Sequence, residues 1–139
     1  MKKYEIIEHT ADIGIKAFGK TINESFENAS KAMFDIITDN SKIEDIGEYK
    51  IKIISTDLDQ LLVDWLSELL FLNSANDLIF GTFKIKINTK NNSINADIYG
   101  EKFNKLKHKI GVEIKAVTYH MLEVNNKYPY STQVLFDIW

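Results

Sequence analysis

Apolar and polar residues alternate with period two in several segments of the chain, and this alternation predicts β-strands. Residues 4–7 and 13–18 predict two short strands, which residues 9–12 would connect. In residues 48–56, lysines alternate with aromatic and aliphatic residues, as in a strand with one face on the core and one in water. The first part of the chain therefore contributes at least three strands.

The second half of the chain is predicted to be mostly strand. LIFGTFKIKIN and SINADIYG flank the turn-forming sequence TKNN, which predicts a β-hairpin. GVEIKAVTYHMLEV and TQVLFDI predict two further strands. The similarity between IGIKA at residues 13–17 and VEIKA at residues 112–116 would be explained by an internal duplication.

Two segments change to a period of three to four residues, which predicts amphipathic helices. Residues 22–36 follow one helical stripe, and Thr21 with Glu24 forms a capping-box pattern at its start. The second helix begins after Thr56 or Asp57 and has a broad leucine-rich face, so we expect it to be the more deeply buried. Two helices among six or more short strands predict an α+β fold in which the helices pack on a largely antiparallel β-sheet.

The composition limits the class of protein. With 139 residues, one proline and no Gly/Ser-rich linker, we predict a single domain over residues 1–139. The absence of cysteine excludes disulfides, thiolate nucleophiles and Cys-ligated zinc. No segment approaches the roughly twenty apolar residues of a membrane-spanning helix, so we expect a cytoplasmic protein with no membrane partner.

The charge and the motifs exclude further functions. The formal net charge is −3, and all 17 basic residues are lysine. Because arginine is the residue best suited to bidentate phosphate recognition, its absence argues against strong direct nucleic-acid binding, although biased codon usage explains it equally well. The sequence also lacks the glycine-rich phosphate loops, the GxSxG nucleophile elbow and the HExxH metal motif.

Two aspartates occupy unusual positions for strand residues. Asp12 stands where a strand begins, and Asp137 lies between Phe136 and Ile138. A carboxylate is costly to bury among apolar residues unless it is paired or binds a cation. The pattern leaves two interpretations open and favours the first: Asp12 caps its turn while Asp137 faces solvent, or both converge on Ca²⁺, Mg²⁺ or Mn²⁺.

The remaining candidate residues have ordinary structural interpretations by pattern alone. His9, His108 and His120 are scattered without metal-ligand spacing, and a lone histidine is more often structural than a ligand. Lys115 reads as an exposed strand lysine, and GEKF at residues 100–103 as a polar strand end.

The order of these segments resembles that of one known family. EHTADIGIKAFGKTINESFENASKAMF, DLDQLLVDWLSELLF, GEKF, GVEIKAVTYH and VLFDI occur with the order and spacing of the archease family, over essentially the whole chain. The most specific elements are HTAD, EIKAVTYH and the DI near the carboxyl end. Any one of them is weak, and all three in order are strong.

The resemblance implies a non-enzymatic accessory protein of the GTP- and Mn²⁺-dependent RNA-splicing ligase that joins tRNA halves. Such proteins promote guanylylation of the ligase's active-site histidine and allow repeated turnover. A general protein chaperone or a modulator of RNA-modifying enzymes is the alternative function. A metal-dependent hydrolase that uses Asp12 and Asp137 is a third possible function, but no sequence motif supports it.

The resemblance also implies site residues. Asp12, Asp137 and a backbone oxygen of Ile138 would bind a divalent metal ion, with Ca²⁺ the first candidate and Mg²⁺ or Mn²⁺ the alternatives. Because Trp139 follows Ile138 here, that oxygen is a peptide carbonyl and not a terminal carboxylate. Lys115 would act in partner activation. His9 would support the ligands or form the turn, because an imidazole is a poor ligand for a hard cation.

Overall fold

The computed structural model describes residues 2–139, except for the side chain of His9. The elements in chain order are β1 (Tyr4–His9), β2 (Asp12–Gly19), α1 (Ile22–Ile37), β3 (Gly47–Ile54), α2 (Leu58–Asn76), β4 (Leu78–Asn88), β5 (Ser93–Lys102), β6 (Ile114–Val117), β7 (Glu123–Asn125) and β8 (Tyr130–Ile138). Because the helices pack on antiparallel sheets, this order confirms the predicted α+β class.

Within residues 2–139 the strands form two antiparallel sheets. In the first sheet, β8 pairs with β2 on one side and with β6 and β7 on the other, while β1 pairs with β2. The second sheet has the order β3–β5–β4, and its β4–β5 hairpin is the one predicted around TKNN. The terminal segments of the chain therefore meet in one sheet, because β2 and β8 are neighbours.

The predicted helix starts are confirmed by their hydrogen bonds. The Thr21 hydroxyl accepts from the Glu24 N–H at 3.1 Å, and the Glu24 carboxylate accepts from the Lys20 N–H at 3.2 Å. At the start of α2, the Asp57 carboxylate accepts from the Gln60 N–H at 2.7 Å. These bonds satisfy backbone donors that have no partner within the helix.

Helix α1 also covers the free edge of the second sheet. The Glu27 carboxylate accepts from the Ile85 N–H and the Asn23 side-chain oxygen accepts from the Ile87 N–H, both at 2.9 Å. These bonds fix β4 against the helix. They also occupy backbone N–H groups of an edge strand that could otherwise pair with another chain. The same helix packs on β2 and β8 of the first sheet.

The expectation that α2 is the more deeply buried helix is wrong. Eight of the 16 residues of α1 are buried, against seven of the 19 residues of α2. Four of the buried α1 residues are small, which lets strands approach it closely from both sheets: Ser25, Ala29, Ser30 and Ala32. The two helices are joined in the core where the buried Trp65 indole donates to the Ser30 hydroxyl at 2.7 Å.

The predicted strand over residues 111–124 is also only partly right, because it is divided into β6 and β7. Both the Thr118 N–H and its hydroxyl donate to the Leu135 carbonyl, at 3.1 and 2.8 Å. The chain then leaves the sheet and turns at Met121, where φ is 56°. Two short strands consequently pair with β8 where the pattern predicts one long one.

Strands β2 and β6, which carry the similar sequences IGIKA and VEIKA, lie on opposite sides of β8. The internal duplication stays a prediction. In the described part of the chain, no helix is long and apolar enough to cross a bilayer.

Candidate functional site

The pairing of β2 with β8 brings the two candidate aspartates together. Asp12 is the register partner of Asp137, and the next pair, Ile13 with Phe136, faces the core. Because side chains alternate along a strand, both carboxylates lie on the outer face of the first sheet. Directly opposed residues of antiparallel strands have Cβ atoms about 5 Å apart. Asp12 is half-buried and Asp137 is exposed, so the expected solvent-facing position of Asp137 is correct and is compatible with convergence.

Close packing of the backbone supports this pair of residues. Gly14 is the register partner of Leu135, whose side chain is completely buried although it lies on the outer face. A Cβ atom on Gly14 would lie 2.3 Å from Leu135 Cδ2 and 2.9 Å from the Val134 carbonyl oxygen. Only glycine therefore allows Leu135 to lie flat against β2, two register pairs along the strands from the carboxylates.

Lys115 lies beside the same pair because of a β-bulge. Ile114 opposes Ile138 and Ala116 opposes Asp137, so Lys115 is an extra residue in β6. Bulges turn a side chain away from the regular alternation and are frequent beside functional sites. The exposed Lys115 ammonium lies 4.7 Å from the centroid of the Trp139 ring, which is a cation–π contact.

The other predicted site residues flank this group. Ile138 is half-buried and follows Asp137 directly, in register with Ile114. The backbone of His9 pairs with that of Asp12 across a two-residue turn, whereas the side chain of His9 lies outside the described residues. His120 is exposed in the loop that separates β6 from β7.

The donor chemistry of the pair fits a hard divalent cation. Two carboxylates directly opposite each other supply oxygen ligands, and a backbone oxygen of the adjacent Ile138 would be a third. Among the side chains described, no group of three or more His, Asp or Glu residues is placed to hold a metal ion. The remaining ligands would have to be water or groups of another molecule, because Ca²⁺ takes six to eight oxygens.

A second polar cluster lies at GEKF, where the sequence pattern predicts no more than a polar strand end. Glu101 is only 8% exposed. Its carboxylate accepts hydrogen bonds from the Glu44 N–H at 2.7 Å, from the Lys107 ammonium at 2.6 Å and from His108 Nε2 at 3.1 Å. The sequence offers one signal for this cluster, which is that His108 follows Glu101 by seven residues. This spacing matches no local pattern of a strand or a helix.

These contacts hold Glu101 in its charged form. Burial raises the pKa of Glu101, but the hydrogen bonds from the Glu44 N–H, Lys107 and His108 outweigh burial and lower the pKa to about 2. His108 Nδ1 accepts from the Asn104 N–H at 3.0 Å, so the neutral ring carries its proton on Nε2 and donates it to Glu101. The cluster ties two loops to β5, and the structural interpretation of His108 is therefore correct.

Fold and site together define a class: a small α+β protein with an outward-facing carboxylate pair on its first sheet and a lysine on the neighbouring strand. The family model described as "Archease protein family (MTH1598/TM1083)" matches residues 4–138. The chain belongs to the archease family, as its sequence resemblance implies.

Relatives and a solved structure agree with this assignment over nearly the whole chain. Protein archease of Sulfolobus acidocaldarius is 42% identical over 139 residues, covering 99% of this chain and 100% of that protein. Protein archease of Methanosarcina mazei is 43% identical over 141 residues, covering 99% and 97%. The solution structure of Methanobacterium thermoautotrophicum protein 1598 superimposes with a TM-score of 0.84 at 38% identity, covering 99% of both chains.

Proposed function

We propose that this protein is a non-enzymatic activator of the GTP- and Mn²⁺-dependent RNA-splicing ligase of tRNA splicing, acting in the cytoplasm through the surface formed by Asp12, Asp137 and Lys115. The observation that carries the proposal is the direct opposition of two carboxylates on one sheet face. Like charges placed opposite each other destabilise a strand pair. Such an arrangement is favoured where a cation or a partner group compensates the charge.

In this proposal Asp12, Asp137 and a backbone oxygen of Ile138 hold a divalent cation, with Ca²⁺ first and Mg²⁺ or Mn²⁺ as alternatives. The bound cation would supply positive charge and open coordination positions at the surface. His9 supports the ligands from the turn. Because few ligands come from this chain, the ligase or water completes the shell, and the contact between the two proteins depends on the cation.

Lys115 supplies a second, fixed positive charge next to the pair. A lysine ammonium is a compact point charge that suits phosphate oxygens. We assign it to an anionic group at the ligase's nucleotide pocket, where it would favour guanylylation of the ligase. The chemical step belongs to the ligase, and the residues of this chain bind and orient.

A ligation time course with limiting ligase and excess RNA tests the proposal. The wild-type protein should convert a single-turnover reaction into repeated turnover, and Asp137→Ala and Lys115→Met should each remove at least nine-tenths of that stimulation. Glu123→Ala is the matched control, because Glu123 is an exposed strand carboxylate that also lies beside β8. Full stimulation by both site variants would overturn the proposal.

A chaperone function predicts a different result. A general chaperone would suppress aggregation of unrelated proteins, whereas an activator should stimulate one ligase at substoichiometric amounts. We expect no suppression of the aggregation of an unrelated unfolded enzyme. Suppression that persists in Asp137→Ala, together with unchanged ligation, would favour the chaperone.

A further inference from the structure

We propose that Trp139 is a positioning residue, which holds the Lys115 ammonium away from the Asp12–Asp137 carboxylates so that lysine and cation can act on the same surface. This role rests on the function proposed above and adds a residue to it. Trp139 lies directly after residues 4–138, which the family model matches.

The β-bulge in β6 allows an ion pair between Lys115 and Asp137 that would compete with a cation. It places Lys115 and Ala116 together opposite Asp137, so the backbone register brings a lysine next to an exposed aspartate on the adjacent strand. An ion pair between them would neutralise both groups. A cation would then have to displace the ammonium, and the ammonium would no longer be available to a partner.

The ammonium is directed elsewhere. Its Nζ lies 4.7 Å from the Trp139 ring centroid, and within the described residues no ion pair joins Lys115 to Asp137. A cation–π contact at an exposed site is comparable in strength to an exposed ion pair, so the ring competes effectively with the carboxylate. The ring also leaves the ammonium accessible, because lysine on one face of an indole keeps its N–H groups in water.

The backbone fixes the tryptophan at this position. The Trp139 N–H donates to the Glu113 carbonyl at 3.2 Å, which continues the β6–β8 pairing beyond the last strand residue. The indole is 73% exposed and, with Lys115, lines a surface cavity of about 460 Å³. Glu113 and Asp77 line the same cavity, whereas Asp137 does not.

The test uses Mn²⁺ as the probe and measures its binding to the full chain by titration calorimetry. Trp139→Leu should weaken Mn²⁺ binding about two- to fivefold, the range expected for competition by an exposed ion pair. Trp139→Phe keeps an aromatic face and should bind Mn²⁺ within twofold of wild type. In Trp139→Leu/Lys115→Met the competing ammonium is absent, so the affinity should return to that of Lys115→Met alone.

This double variant separates positioning from a structural role. If it binds Mn²⁺ as weakly as Trp139→Leu, the tryptophan acts through the fold and the proposal is overturned. Unchanged binding by Trp139→Leu would overturn it equally. Because Trp139 is exposed, we expect all variants to unfold at the wild-type temperature.

A second measurement does not depend on the metal. In NMR spectra the Lys115 Cε protons should show the upfield ring-current shift of a side chain lying over an indole, and Trp139→Leu should remove it. If the wild-type protein binds no Mn²⁺ but shows this shift, the metal assignment of the proposed function fails and the position of Lys115 stands. If the shift is absent in the wild type, the positioning role fails whatever the ligation assay shows.

Discussion

Asp12 and Asp137 are register partners on adjacent antiparallel strands, and both side chains leave the same outer face of the sheet. In metal-free solution this opposition should cost stability. Asp137→Asn removes one charge, so its free energy of unfolding in EDTA at low ionic strength should exceed that of wild type by about 0.3 kcal/mol. Urea denaturation measures this difference, and a variant less stable than wild type would show that the two carboxylates do not repel each other.

A bound cation should stabilise the fold, whereas the opposed carboxylates alone destabilise it. A ligand that binds only the folded state raises its stability, so Mn²⁺ should raise the unfolding temperature of the wild-type protein. Asp137→Asn should lose most of this increase because one ligand oxygen and one charge are gone. Glu123→Gln, which changes an exposed carboxylate on β7, should respond as wild type does.

Gly14 should be essential to the strand pair behind the carboxylates. In Gly14→Ala the new methyl group would overlap Leu135 Cδ2 and the Val134 carbonyl, so we expect a loss of about 2 kcal/mol in the free energy of unfolding. Gly47→Ala is the matched control, because its Cβ would meet nothing closer than Tyr49 Cε1 at 3.4 Å. Equal losses in both variants would contradict the role assigned to Leu135 packing.

The helices could be predicted from the sequence because their signals are local. Thr21 and Glu24 fix the start of α1, and an apolar stripe of period 3.6 defines its core face. The division of the strand over residues 111–124 could not be predicted. It depends on hydrogen bonds from Thr118 to the Leu135 carbonyl on another strand, and the alternation of residue types continues through the break.

The candidate site shows the same contrast. The sequence pattern marks each aspartate as unusual for a strand, but by itself it favours a turn cap for Asp12 and an exposed position for Asp137, because no local signal pairs β2 with β8. Only the family resemblance brought the two together, and the register of the first sheet places them side by side. The burial of Glu101 was missed for a similar reason, since it requires the loop that carries His108 to fold back on β5.

Glu101 should make the stability of the fold depend on acidity. Its pKa is lowered to about 2 from a usual 4.5, so in acid the unfolded chain binds a proton more readily than the folded one. The stabilisation is therefore complete above a pH of about 5 and is lost as the pH falls towards about 2. Glu101→Gln removes the charge and should cost about 2 kcal/mol at neutral pH.

The pH profile distinguishes this effect from general acid destabilisation. The free energy of unfolding can be measured by urea denaturation at neutral pH and at a pH of about 3. It should change less between these two pH values in Glu101→Gln than in wild type. Glu123→Gln changes an exposed carboxylate and should keep the wild-type slope. Parallel profiles for wild type and Glu101→Gln would mean that the charged carboxylate does not stabilise the folded state.

The two tryptophans of the chain lie in opposite environments, and this allows the proposed surface to be followed optically. Trp65 is fully buried and its indole donates to Ser30, whereas Trp139 is 73% exposed beside Lys115. Trp139→Phe should therefore leave short-wavelength emission that acrylamide quenches poorly. Trp65→Phe should leave long-wavelength, strongly quenched emission. It should also cost about 2 kcal/mol of stability, because it leaves a cavity and removes the indole N–H that donates to the Ser30 hydroxyl.

Addition of the ligase then discriminates between surfaces. The measurement uses Trp65→Phe and a ligase without tryptophan, or subtracts the ligase's own emission. If the ligase binds at the carboxylate pair, it should reduce the acrylamide quenching of Trp139. In Trp139→Phe the emission of Trp65 should not change, because that side chain has no contact with the surface. Binding that leaves the quenching of Trp139 unchanged would place the ligase on another face of the molecule. It would also contradict the role of Lys115 in partner activation.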